Sequence, residues 1–205
     1  MSLTPAEESQ IAMYNSGLLP IGTTASGPAT TPFAQTFDRR LAVSSLFTPT
    51  TQTLTITAIW LPAGRTVTGI TFVSVGAESG GSNLWFALYK GNSSWNPVSF
   101  TLMAQGTTEG GAAAFAANSA HRQALTTPQV CPYSGLYYLA FMCQASGMPT
   151  LLNLTAGSVN AVGSTNAAQM GPNLAATADG SLTTTAPTTM GSQTAITQCL
   201  YAYVD

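Results

Sequence analysis

Along much of the chain apolar and polar residues alternate with a period of two, the pattern of strands that bury one face. Thr53-Leu-Thr-Ile-Thr-Ala-Ile-Trp60 is the clearest case and places Leu54, Ile56, Ala58 and Trp60 on one face. Leu61-Pro-Ala-Gly-Arg65 reads as a turn, because Pro and Gly punctuate ordered runs. Alternation resumes over Thr66 to Val75, with Ile70 and Phe72 together on one face. Shorter runs follow at Trp85–Tyr89, Phe100–Ala104, Arg122–Leu125, Gly135–Gln144, Thr150–Leu154 and Thr197–Val204. The Gly135–Gln144 run carries large residues on both faces, as a central strand does. About nine strands between recurrent turn signals predict an all-β fold. Its expected form is an antiparallel β-sandwich or jelly roll over residues 36–205.

Residues 1–35 break this pattern. Thr4 can cap a helix, Pro5 fits its first position, and Glu7 completes a Thr-x-x-Glu capping box. Ile11, Tyr14 and Leu18 follow at helical spacing, and Gly17 can end the helix. So short a helix is marginal alone in water and needs a surface to lie on. Leu19 to Gln35 is rich in Pro, Gly and Thr without a period, and reads as an extended arm. Thr4, Glu7, Ile11, Tyr14 and Leu18 are thus candidate anchor residues. Ala156 to Met190 has few large side chains and is long for a loop in a compact domain. It reads as a surface excursion that packs against another copy.

Charge narrows the functions available. Only 6% of the 205 residues are charged, against about a quarter in ordinary domains. The 45% hydrophobic content excludes a disordered polar tail. A net charge of −2 with five scattered Lys and Arg gives no basic footprint for nucleic acid. Threonine is the commonest residue, and Thr-lined strand faces stay soluble without charge. Low like charge also lets subunits pack side by side without repulsion. No apolar run approaches the roughly 20 residues of a membrane helix, so no membrane partner is expected. Glu7 and Glu8 stand where a secretory leader is cationic, so synthesis in the cytoplasm without secretory export is expected.

The candidate chemistry is sparse. Cys131, Cys143 and Cys199 are odd in number and lack metal-ligand spacing. Free buried thiols are the expectation, with a Cys131–Cys143 bridge as the alternative. His121 is the single histidine, so a Ser-His-Asp or Cys-His mechanism would run through it. It stands at the opening of a strand, where a solvated or hydrogen-bonded role is expected. No Gly-x-Ser-x-Gly elbow, nucleotide loop or metal set is present, so no cofactor is expected. A glycan hydrolase would need two carboxyls flanking the sugar bond. Glu78 and Glu109 are the mid-domain glutamates, and both lie in Gly-rich turns where glutamates are normally solvated. Trp95, with Asn92 and Asn96, lies in a polar turn and is a candidate platform for stacking and hydrogen-bonding a sugar. In the competing reading Trp85 is core and Trp95 closes the sandwich end or an interface.

Several ordered stretches resemble virion structural proteins of tailed bacteriophages. These are Ile59-Trp-Leu-Pro-Ala-Gly-Arg-Thr-Val-Thr-Gly-Ile-Thr-Phe72, Asn83-Leu-Trp-Phe-Ala-Leu-Tyr89 and Ser134-Gly-Leu-Tyr-Tyr-Leu-Ala-Phe141, followed by Leu182-Thr-Thr-Thr-Ala-Pro187 and Tyr201-Ala-Tyr-Val204. The resemblance implies a β-sandwich displayed on the particle as a head fibre, decoration protein or minor tail protein, typically a trimer, and it carries no catalytic site. The expectation is therefore a non-enzymatic virion protein at the particle surface. Its N-terminal arm would hold other virion proteins. The alternative is a minor tail or receptor-binding protein whose sandwich binds a host-surface glycan.

Overall fold

Threonine, valine and aromatic residues on alternating positions suit pleated, half-buried surfaces, and the chain uses them throughout. A computed structural model describes residues 32–93, 99–110, 115–155 and 173–205. Thirteen strands run through these residues. The first six are β1 (Ala34–Gln35), β2 (Val43–Phe47), β3 (Leu54–Leu61), β4 (Thr66–Gly76), β5 (Ser79–Gly91) and β6 (Phe100–Gln105). Then come β7 (Ala120–Val130), β8 (Gly135–Gly147), β9 (Thr150–Thr155), β10 (Ala175–Ala178), β11 (Thr194–Ala195), β12 (Gln198–Leu200) and β13 (Ala202–Val204). No helix among the described residues is long and apolar enough to cross a membrane.

The strands form two antiparallel sheets. The first has seven strands in the order β1-β13-β4-β9-β12, with β7 beside β4 and β2 beside β9. The second has six, in the order β11-β10-β3-β8-β5-β6. Strand β8 is central, pairing with β3 over Thr55 to Leu61 and with β5 over Ser79 to Lys90, as its two apolar faces require. The all-β prediction and the two-sheet architecture agree.

Between the sheets lies the main core. Ile70 and Phe72 of β4 and Leu125 of β7 meet Leu84 and Phe86 of β5 and Leu139 and Phe141 of β8. Phe72 stands edge-on to both Phe86 and Phe141, at centroid distances of 4.8 and 5.6 Å, a favoured geometry for aromatic rings. A second core covers the opposite face of the six-stranded sheet. There Leu54, Ile56, Trp85, Tyr89, Tyr138 and Met142, with Ala176 and Ala178 of β10 beside them in the sheet, pack under Ala186 and Met190. The residues after β10 form a strap that makes a third layer. Three aromatic tips hold the strap and the residues leading into β10 by their carbonyls. Trp85 Nε1 donates to Thr183 (2.8 Å), the Tyr89 hydroxyl to Pro187 (2.8 Å) and the Tyr138 hydroxyl to Asn173 (2.8 Å).

The differences from the sequence expectations have physical causes. The alternation predicts one buried face for β3, but both are buried: Leu54, Ile56 and Ala58 lie under the strap, while Ile59 and Leu61 on the other face reach the main core. Both faces of a central strand are buried, so the period marks two faces without naming their neighbours. Trp60, beyond the strap, stays 44% exposed. The excursion expected over Ala156 to Met190 is corrected in its second half. Residues 173–190 include β10 and pack on their own sheet, small side chains allowing the close approach, whereas 156–172 lie outside the described residues. More strands appear than the nine expected: β1, β10 and β11 are only two to four residues long and too short for a period to register, β2 falls outside the expected runs, and Thr197–Val204 is split into β12 and β13. The N-terminal helix and most of the arm lie outside the described residues. At the arm's end, Ala34 and Gln35 pair with Val204 and Tyr203, and Arg65 lies 4.9 Å over the Phe33 ring.

Candidate functional site

One seam between the sheets collects most of the polar chemistry. On β7 the period of two turns His121, Gln123 and Leu125 toward the second sheet and Arg122 away from it. Strand β6 pairs with β5 only from Ala87 to Gly91, so the edge of β5 beyond it needs other partners. The Gln123 amide supplies one. Its Oε1 accepts the Phe86 N–H at 2.7 Å, and its Nε2 donates to the Leu84 carbonyl at 3.2 Å. Gly106 bridges to Leu125 alongside. A Cβ on Gly106 would lie 2.8 Å from Gln123 Oε1, so the close approach explains the glycine.

The seam continues into an ionisable cluster. Glu109 pairs by its backbone with Leu84 on the β5 edge, through two 2.8 Å bonds. His121 is opposite Phe72 on β4 in the other sheet. Their side chains meet, His121 Nε2 to Glu109 Oε2, at 2.7 Å, so the contact joins the two sheets. The His121 ring packs on Phe115 at 4.9 Å and edge-on to Phe86 at 5.8 Å. Glu78, in the turn between β4 and β5, donates its backbone N–H to the Phe115 carbonyl at 3.0 Å. Its carboxylate Oε2 accepts the Cys143 thiol at 3.4 Å.

Glu78 corrects an expectation. It is 6% exposed rather than solvated, because its turn folds back over β8 and Phe115. Burial pushes its carboxyl above the usual carboxylate range; the Cys143 thiol and the His121 charge pull it down, and the Glu109 charge pushes it up. Burial and the neighbouring carboxyl raise Cys143 as well. The hydrolase alternative needed Glu78 and Glu109 to converge, and they share this cluster. A glycosidic oxygen would still have to reach a carboxyl that points to a buried thiol. The expected hydrogen-bonded role of His121 agrees with its contact to Glu109. Among the described residues no group of three His, Cys, Asp or Glu is placed to hold a metal ion.

The other sequence candidates fall elsewhere. Asn92 lies at the neck of the loop after β5, where its Oδ1 accepts the Ser99 N–H at 3.3 Å and its own N–H donates to the Ser99 carbonyl at 3.0 Å. Its side chain thus helps close the loop. Trp95 and Asn96 lie outside the described residues, as do Thr4, Glu7, Ile11, Tyr14 and Leu18. Trp85 is fully buried, as the core reading of that residue has it. The three cysteines are free and buried. Cys131 follows β7 at one end of β8 and Cys143 sits near the other end, so the alternative bridge does not form.

Two features had no sequence signal. Gln123 reads as an ordinary polar strand residue until its partners 37 and 39 positions away are known. Arg122 and Asp205 form a forked pair, Nε to Oδ1 at 2.8 Å and Nη2 to Oδ2 at 2.6 Å, with Thr68 donating to Oδ2 at 2.7 Å. The hydrogen bond to Asp205 raises the Arg122 guanidinium further above its ordinary value. Compared with known families and curated proteins, the chain matches no family model and no curated protein.

Proposed function

We propose that the protein is a structural component of a tailed-bacteriophage virion. In this reading it is a head-fibre or decoration protein, held by its N-terminal segment and displaying the sandwich as a homotrimer. The supporting observation is the direction of its few polar groups. Arg122 with Asp205, His121 with Glu109, Glu78 with Cys143 and the tips of Trp85, Tyr89 and Tyr138 all bind within the fold. Such a domain suits display and packing beside copies of itself, since little charge remains to set neighbours apart. The ordered motifs that resemble those of virion proteins point the same way.

A genome carrying a deletion of residues 2–31 tests the reading. The cut stops before Phe33, whose N–H donates to the Val204 carbonyl at 3.0 Å, so the sheet edge is spared. Purified particles should lack the truncated chain while the isolated sandwich keeps a cooperative thermal transition. Particles carrying the truncation at the parental copy number would overturn the anchoring role. Absence of the full-length chain from purified particles would overturn the virion assignment itself.

A further inference from the structure

The strand directions give the sandwich two unlike ends. At one of them β3, β5 and β7 finish and β4, β6 and β8 begin, and the turns there are tied to one another. The Ala63 N–H donates to Ser134 Oγ at 2.9 Å, the Gly64 N–H to the Cys131 carbonyl at 2.9 Å and the Cys131 N–H to the Arg65 carbonyl at 2.8 Å. The Tyr133 hydroxyl adds the end of β5 by donating to the Gly91 carbonyl at 2.9 Å. The chain enters the sandwich at this same end. Phe33 donates its N–H to the Val204 carbonyl and lies under the Arg65 guanidinium. Residues 1–31 therefore join the domain beside the tied turns.

The two ends also differ in surface chemistry. Trp60 is opposite Leu136 and Val130 is opposite Thr66, so each sheet presents a large apolar residue at the tied end. They stay 44% and 57% exposed. The described cations there are Arg65 and Lys90, while Asp205 nearby is paired with Arg122. At the other end β4, β6 and β8 finish and β5, β7 and β9 begin. Exposed Ser79, Ser82 and Ser146 line it. Ser146 donates to the Ser79 carbonyl at 3.1 Å and Ser82 to the Gln144 carbonyl at 3.3 Å. Its carboxylates are Glu78, in the β4–β5 turn, and Asp179, whose carbonyl accepts the Leu54 N–H at the start of β3.

We propose that the tied end is the docking face of the domain and that the serine-lined end points away from the particle. The occupant is the virion protein that holds residues 1–31, so the inference rests on the virion reading above. The segment assigned as the anchor joins the domain at this end. Contact there removes Trp60 and Val130 from water, which is favourable in proportion to the apolar area covered. The mutual hydrogen bonds of the turns preorganise the face, so docking orders little more chain. With Arg65 and Lys90 flanking it, the complementary surface is apolar and acidic rather than basic.

Maleimide labelling of the full chain on purified particles, against the same chain free in solution, tests the orientation. The native thiols are buried, so the dye reads a cysteine introduced at an exposed site. Ala63→Cys marks the tied end and Ser146→Cys the other. Ala63→Cys should label about tenfold more slowly on particles, and Ser146→Cys at the same rate in both states. Equal rates for Ala63→Cys, or protection of Ser146→Cys, overturn the orientation and leave the chain a virion protein. Absence of the parent chain from particles overturns the virion reading and this inference with it. Should a cysteine variant not fold, Val130→Glu decides. Fewer copies per particle at an unchanged Tm support the docking face, and the parental copy number overturns it.

Discussion

Replacing Gln123 by leucine isolates the amide that substitutes for a missing strand. Leucine is close to glutamine in volume though one bond shorter, so the perturbation is chiefly the loss of the amide rather than a large cavity. The residue is 3% exposed, and water cannot readily replace what is lost. The Leu84 carbonyl keeps the Glu109 N–H at 2.8 Å, so its loss is small. The Phe86 N–H has no such substitute, and Phe86 is fully buried. An orphaned buried donor costs about 1–3 kcal/mol, and loss of the hydrogen bonds themselves about 1 kcal/mol more. The added apolar surface of leucine returns about 1 kcal/mol. The net expectation is a loss of about 2 kcal/mol, or about 4–8 °C in Tm for a chain of this size. Urea denaturation with coincident fluorescence and circular dichroism transitions measures it, with an unchanged m-value as the check on two-state behaviour. Exchange at the Phe86 amide should accelerate in step. A variant within about 0.5 kcal/mol of the parent, with Phe86 still protected, would show that the amide does not act as a strand partner. Gly106→Ala pushes on the same amide and should cost about 1–3 kcal/mol.

Other substitutions probe the rest of the fold. Arg122→Met leaves the Asp205 carboxylate, whose side chain is 2% exposed, without its guanidinium. A loss of about 3 kcal/mol is expected by urea denaturation, with Arg122→Lys restoring only part because it lacks the fork. Thr55 is fully buried, and its hydroxyl has no hydrogen-bond partner. Thr55→Val should therefore be neutral or stabilising by up to about 1 kcal/mol, and a clear loss in Tm would reveal a partner for the hydroxyl. Burial raises all three thiols above their ordinary value. A thiol-reactive dye should label none of them rapidly in the native protein and all three in denaturant; rapid native labelling would contradict the burial.

Much of the architecture was legible in the alternation of side chains. Strands β3, β4, β6, β8 and β9 stand close to where the period placed them, and the double apolar face of Gly135–Gln144 marked the centre of a sheet. These features are local, fixed by side-chain type and a repeat of two, and a sequence carries them openly. The tertiary structure decided what each face meets. It put Leu54, Ile56 and Ala58 under a strap from the far end of the chain and joined Gln123 to a strand 37 positions away. It also turned Glu78, which sequence context marks as a solvated turn residue, into a buried carboxyl beside Cys143. Alternation states that a strand has two faces, but which layer covers each depends on pairings between distant segments. Burial, and with it the chemistry of every ionisable group in the seam, follows from those pairings.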